Sequence, residues 1–137
     1  MTIIEQLLAA GPVVTDGAWG TELQAGGLES GECPDGWNLS HPERVEAVAR
    51  AYVEAGSQVI LTNTFRANRV AQAGTELAGC LEAVNRAGVE ISRRAAAGRA
   101  AVFASMGPSG KMLPAGEVTE EELRAAFSEQ ARALAAA

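Results

Sequence analysis

The chain has 137 residues, 47% of them hydrophobic and 20% charged, with 11 Lys and Arg against 17 Asp and Glu for a net charge of −6. That length suits one domain with a modest core, while the acidic balance and the lack of a basic stripe argue against nucleic-acid binding. No run reaches the ~18 apolar residues of a membrane span, the N-terminus lacks a leader's basic and apolar regions, and Cys33 and Cys80 stand apart without a CxxC or Cys/His cluster. The expectation is a soluble, cytoplasmic protein with reduced thiols.

Ile3 to Ala10 reads as a short helix with Ile3, Ile4, Leu7 and Leu8 on one face, stopped by Gly11-Pro12. A first strand, Pro12 to Thr15, closes on Asp16-Gly17. Gly20 to Gln24 suits a turn of helix, and Gly26-Gly27 with Glu29 to Asn38 form a long irregular loop. Loops of that length in compact domains are usually functional. Ser40, Pro42 and Glu43 read as a capping box opening a helix with Val45, Val48, Tyr52 and Ala55 on one face and Gly56 at its end.

A second strand, Val59 to Phe65, is nearly continuous in apolar and β-favouring residues, as for a strand covered on both faces. A helix follows over Glu76 to Ala97, with Leu77, Leu81, Val84, Gly88 and Ile91 spaced at three and four. A third strand, Ala101 to Ala104, closes on Ser105 and Gly107. Thr119 and Glu122 make another capping box, opening a last helix with Leu123, Phe127, Ala131 and Leu134 inward. The order strand, helix, strand, helix, strand, helix predicts a parallel α/β architecture, in which ligand sites lie beyond the carboxyl ends of the strands.

Each strand end carries candidate residues. Asp16 before Gly17 places a carboxylate where a substrate ammonium can approach; the alternative is a turn aspartate bonded to its own backbone. Thr62, Asn63 and Thr64 interrupt an apolar strand at its exit and suit a carboxylate ligand, or else a polar strand end satisfied by neighbouring backbone. Ser105 to Gly110 is a small-residue loop resembling an anion-cradling nest, without a P-loop or GxGxxG pattern. His41, the only histidine, reads as a solvated first-turn residue. Trp19 and Trp37 either wall a pocket or pack their loops.

Five segments in order carry a family resemblance: Asp16 to Gln24, Asn38 to Glu43, Ala51 to Gly56, Leu61 to Asn68, and Ala104 to Gly110. Together they resemble the homocysteine-binding methyltransferases, a family that includes betaine–homocysteine methyltransferase and the first module of cobalamin-dependent methionine synthase. The resemblance implies a (β/α)8 barrel that moves a methyl group to the sulfur of homocysteine. It places Asp16 at the substrate ammonium, Gly17 and Thr62 by its carboxylate, and Asn63 and Ser105 at the pocket floor.

It also implies Zn2+, which deprotonates a thiol whose ordinary pKa is about 8.5. The family's three cysteine ligands come from later strands, and neither Cys33 nor Cys80 matches them. A complete barrel needs about 250 residues, so residues 1–137 read as its N-terminal portion, about three βα units truncated at the C-terminal end. Such a portion is expected to be inactive alone. Homocysteine and a methyl donor are the expected small-molecule partners; the loop Glu32 to Trp37 hints at a corrinoid donor or corrinoid protein. Open sheet edges point to self-association, and the alternative is a non-catalytic module that pairs with itself or with a separate second half.

Overall fold

A computed structural model describes residues 1–137. Six α-helices and two strands follow in order: α1 Ile3–Leu8, α2 Gly20–Ala25, α3 Trp37–Ser40, α4 Pro42–Glu54, β1 Val59–Leu61, α5 Leu81–Ala96, β2 Ala101–Phe103 and α6 Glu120–Ala135. Single 3₁₀ turns occupy Pro34–Gly36, Glu76–Gly79 and Leu113–Ala115.

β1 and β2 pair in parallel, with Val59 opposite Ala101 and Leu61 opposite Phe103. The first predicted strand contracts to one parallel bridge, Thr15 opposite Val59. Pro12 has no amide to donate, and Gly11 before it turns the chain at φ 108°. At the other end the Asp16 side chain, in place of its carbonyl, takes the Leu61 amide at 2.7 Å. Between these limits the Asp16 amide donates to Val59 O at 3.0 Å and the Gln58 amide to Val14 O at 2.8 Å. Three parallel segments therefore lie side by side in chain order, and the predicted alternation of strand and helix holds. The strands themselves are shorter than expected, β1 ending at Leu61 and not Phe65.

Side chains on a strand alternate between faces, and here the two faces differ. On one, Ile60 and Val102 meet Ala49 and Val53 of α4 and Ala95 and Ala96 of α5. A neighbouring cluster joins Leu23, Leu28, Trp37, Val45 and Ile91, and Trp19 packs against both clusters. Complete burial of one such aliphatic side chain stabilises by about 1.5–3 kcal/mol over leaving it in water. On the other face Val13, Thr15, Val59, Leu61 and Phe103 line a cleft of 480 Å³ with Ile4, Leu7 and Leu8 of α1. Nothing closes it from outside, and Ile4 and Leu8 remain 49% and 58% exposed.

The helices correct several expectations. Ser40 does not cap α4; it ends α3, its hydroxyl lies 2.9 Å from His41 Nδ1, and His41 occupies the cap position. The inward face of α4 is Val45, Ala49 and Val53, with Ala55 exposed, because this helix is pressed between α5 and the strands. The helix expected from Glu76 breaks at Cys80, where the backbone leaves helical angles at φ −135° and ψ 24°. α6 opens on the expected box, with the Glu122 amide on Thr119 Oγ1 at 3.1 Å and the Thr119 amide on Glu122 Oε2 at 2.8 Å. Its buried residues are Ala126, Gln130, Ala133 and Leu134, while Ala131 is exposed. The inward stripe is thus rotated towards Gln130, which reaches the β1 exit.

Candidate substrate site

All three strand exits end at one side of the sheet, and each is fastened differently. At the first, Asp16 Oδ2 accepts both the Leu61 amide and the Trp19 indole N–H at 2.7 Å. Its carboxylate is half-buried beside the apolar cleft, and Oδ1 is left without a partner in the chain. Gly17 follows with its Cα against the Tyr52 ring, where a Cβ would sit 3.1 Å from the Tyr52 hydroxyl. That hydroxyl donates to Ala18 O at 2.6 Å. Burial, then the charges of Glu22 and Asp16, push the Tyr52 phenol above its usual value.

At the second exit, Thr64 Oγ1 donates to Ser105 O at 2.7 Å and so accepts from Thr62 Oγ1 at 2.6 Å. Thr62 Oγ1 in turn accepts the Ser105 amide at 3.0 Å. The single proton of the buried Thr62 hydroxyl is therefore committed, and Thr62 faces the helical side with Val89 and Val102, away from the Asp16 cleft. Asn63 reaches the long loop: its Nδ2 donates to Pro34 O at 2.8 Å and to Asn38 Oδ1 at 2.9 Å. Ser105 keeps a hydroxyl without a partner in the chain and is half-exposed. The Ser105–Gly110 loop does not form the expected open nest, because the Ser105 and Gly107 amides are taken by Thr62 and by Phe65 O.

The structure thus brings Asp16 to Leu61, and Thr62 to Ser105, but sends Asn63 to the loop. Residues not singled out in the sequence complete the frame. Five main-chain carbonyls from Leu61 to Ala67 accept from the side chains of Ser92, Asn38, Gln130, Gln72 and Asn85 at 2.7–2.9 Å. A buried backbone carbonyl must find a donor, and here α3, α5 and α6, with Gln72 from the turn after β1, supply donors where the strand ends. The legible signal was a polar residue inside an apolar stripe, such as Asn85 after Leu81 and Val84. Trp37 packs its loop into the core at 4% exposed. His41 lies against it, ring centroids 4.7 Å apart.

Asp35 is buried at 2% exposed, accepting the Arg66 amide at 2.9 Å and facing the Cys33 thiol at 3.7 Å. Burial raises its carboxyl above the ordinary range. Burial first, and then Asp35, also raise the Cys33 thiol, which accepts from Gln72 Nε2 at 3.2 Å. Cys80 Sγ lies 3.6 Å from Leu77 O. No three His, Cys, Asp or Glu side chains are grouped to hold a metal ion. A thiol kept protonated and tied to Asp35 does not fit a zinc-ligand role, so no step through zinc is assigned to these residues. The largest hollow, 810 Å³ between α5 and α6, is lined by Arg69, Glu82, Arg124 and Glu129 and lies away from Asp16.

A sequence model described as homocysteine S-methyltransferase matches residues 13–137. The chain belongs to the homocysteine S-methyltransferase family. Among curated relatives of this family, methionine synthases of Mycobacterium tuberculosis and Mycobacterium leprae are each 31% identical over 144 residues. The match takes in 95% of this chain and 12% of either relative. Among solved structures, the homocysteine methyltransferase MmuM from Escherichia coli aligns in its metallated form with TM-score 0.77 at 24% identity, over 96% of this chain and 52% of that one. Its oxidized form aligns with TM-score 0.74 at 23% identity, over 95% and 52%. The family fold is thus shared, and the chain spans about half the length of the structures and an eighth of the methionine synthases it resembles.

Proposed function

We propose that residues 1–137 form the first three βα units of a (β/α)8 homocysteine S-methyltransferase and supply the amino-acid end of its homocysteine pocket. The observation that carries this reading is Asp16, whose Oδ2 is held by two N–H donors while Oδ1 stays open beside the cleft. An ammonium leaving water needs a charged partner, or its desolvation opposes binding. Gly17, with no side chain, lets the substrate carboxylate approach the backbone, and the open Ser105 hydroxyl at the third strand exit offers it a donor. Thr62 and Asn63 serve the floor indirectly: one anchors Ser105, the other anchors the loop at Pro34 and Asn38. With the amino-acid end fixed, the sulfur and an incoming methyl carbon are aligned for transfer.

The metallated relative and the family support zinc in the complete enzyme, held by residues other than those described above. A corrinoid methyl donor, or a protein carrying one, is the partner we favour on the likeness to methionine synthases. The uncovered apolar face supports the second reading, an assembly module that closes against another half-barrel.

The test is homocysteine binding by calorimetry or amide-shift titration, with Asp16→Asn as the variant. Asn keeps the shape and removes the charge, and affinity should fall by about 2–4 kcal/mol, as on losing one partner of a buried charged pair. An amine-free analogue, 4-mercaptobutanoate, should not distinguish the two proteins. Equal homocysteine affinity would leave Asp16 as a strand-end residue only.

A further inference from the structure

Resting on that reading, we infer that Trp19 is a positioning residue for Asp16: its indole N–H selects which carboxylate oxygen meets the substrate ammonium. A carboxylate on a flexible strand end can rotate and offer either oxygen. In this chain, two donors converge on Oδ2 alone, the Leu61 amide and Trp19 Nε1, both at 2.7 Å. The first comes from β1 and substitutes for the ladder bond that the Asp16 carbonyl would otherwise make. The second comes from the residue that opens α2. Two donors on one oxygen fix the carboxylate plane and leave Oδ1 as the oxygen without a partner in the chain.

Trp19 is itself held. Its ring packs against both hydrophobic clusters, and Tyr52 Oη braces the intervening segment through Ala18 O at 2.6 Å. Gly17 lies flat on the same tyrosine. The indole thus ties the acid to the helix-side core, so the direction of Oδ1 is set before any ligand arrives. Preorganisation of this kind raises affinity by removing the ordering cost from the binding step.

Trp19→Phe keeps the ring in the core and deletes only the N–H. Hydrogen exchange of the Leu61 amide reports the clamp without any ligand: it should quicken by about tenfold as the carboxylate loosens, following the net worth of one hydrogen bond to a charged group. Homocysteine affinity should fall by about tenfold. In the Asp16→Asn background Trp19→Phe should cost nothing further, because the indole acts only through the carboxylate. Unchanged Leu61 exchange, or losses that add in the double variant, would overturn the assignment. Should Asp16→Asn itself leave homocysteine binding intact, the pocket reading fails, and Leu61 exchange in Trp19→Phe still decides whether the indole holds the acid.

Discussion

Two aspartates show how placement divides one residue type into two tasks. Asp16 and Asp35 each accept a backbone amide from a neighbouring segment, Leu61 and Arg66 respectively. Asp16 sits half-exposed at a strand end with one oxygen open, whereas Asp35 is enclosed by its loop. Burial holds the Asp35 carboxyl above the usual range, so the folded chain binds that proton more readily than the unfolded chain. Its contribution to stability is therefore full at pH below the ordinary carboxylate value and falls as pH rises through the raised one. Asp35→Asn removes this titration and keeps an acceptor for the Arg66 amide. Urea unfolding at about pH 4 and pH 7 should show the variant gaining on the parent protein at the higher pH. A difference that does not change with pH would mean that the folded and unfolded chains bind the Asp35 proton equally.

At the scale of elements, α5 governs how closely the helices approach the β1 exit. Gly88 lies mid-helix, where Ala would ordinarily stabilise by about 1 kcal/mol. A Cβ there would meet Thr64 Cγ2 at 2.5 Å and Asn38 Nδ2 at 2.8 Å. Asn38 Nδ2 is bonded to Asn63 O and Val84 O at 2.7 and 3.0 Å, so it has no room to withdraw. Overpacking costs about 1–3 kcal/mol and outweighs the helix gain. Gly88→Ala should destabilise by up to about 2 kcal/mol net in urea unfolding; a stabilised variant would show that α5 can back away from Thr64. The same crowding explains why the Gly88 position was legible as a helix contact but its neighbour was not: periodicity identifies an inward face, and tertiary packing chooses what it meets.

For the whole molecule, the decisive feature is asymmetry of cover. Helices α4 and α5 seal one face of the strands, and on the other α1 only rims the cleft, with Ile4 and Leu8 half-exposed and Val14 59% exposed at the sheet edge. An uncovered apolar face beside an unpaired strand edge favours association. We expect concentration-dependent oligomers in sedimentation velocity, reduced in Leu8→Glu, which places a charge on that face. A parent chain that stays monomeric at high concentration would mean that α1 and the strands close the cleft in solution without a partner.

Residue pattern alone determined the alternation of strand and helix, the Thr119 capping box, and Asp16 and Ser105 as strand-end candidates, because caps and turns are set by neighbours within a few residues. It also carried the family, since ordered motifs survive where overall identity is low. Tertiary structure decided the rest. Pro12 limited the first strand at its start, but only the fold brought the Leu61 amide to the Asp16 side chain, which ended the strand at the Thr15 bridge and made Asp16 a clamp as well as a candidate ligand. Thr62 read in sequence either as a carboxylate contact or as a satisfied strand end, and only the fold brings it Thr64 and Ser105, the latter 43 positions on, as partners. Asn38, Asn85 and Gln130 looked like ordinary polar residues until the β1 exit needed donors for its carbonyls. A buried hydrogen bond joins segments far apart in the chain, so the need for it is visible only once the fold has brought them together.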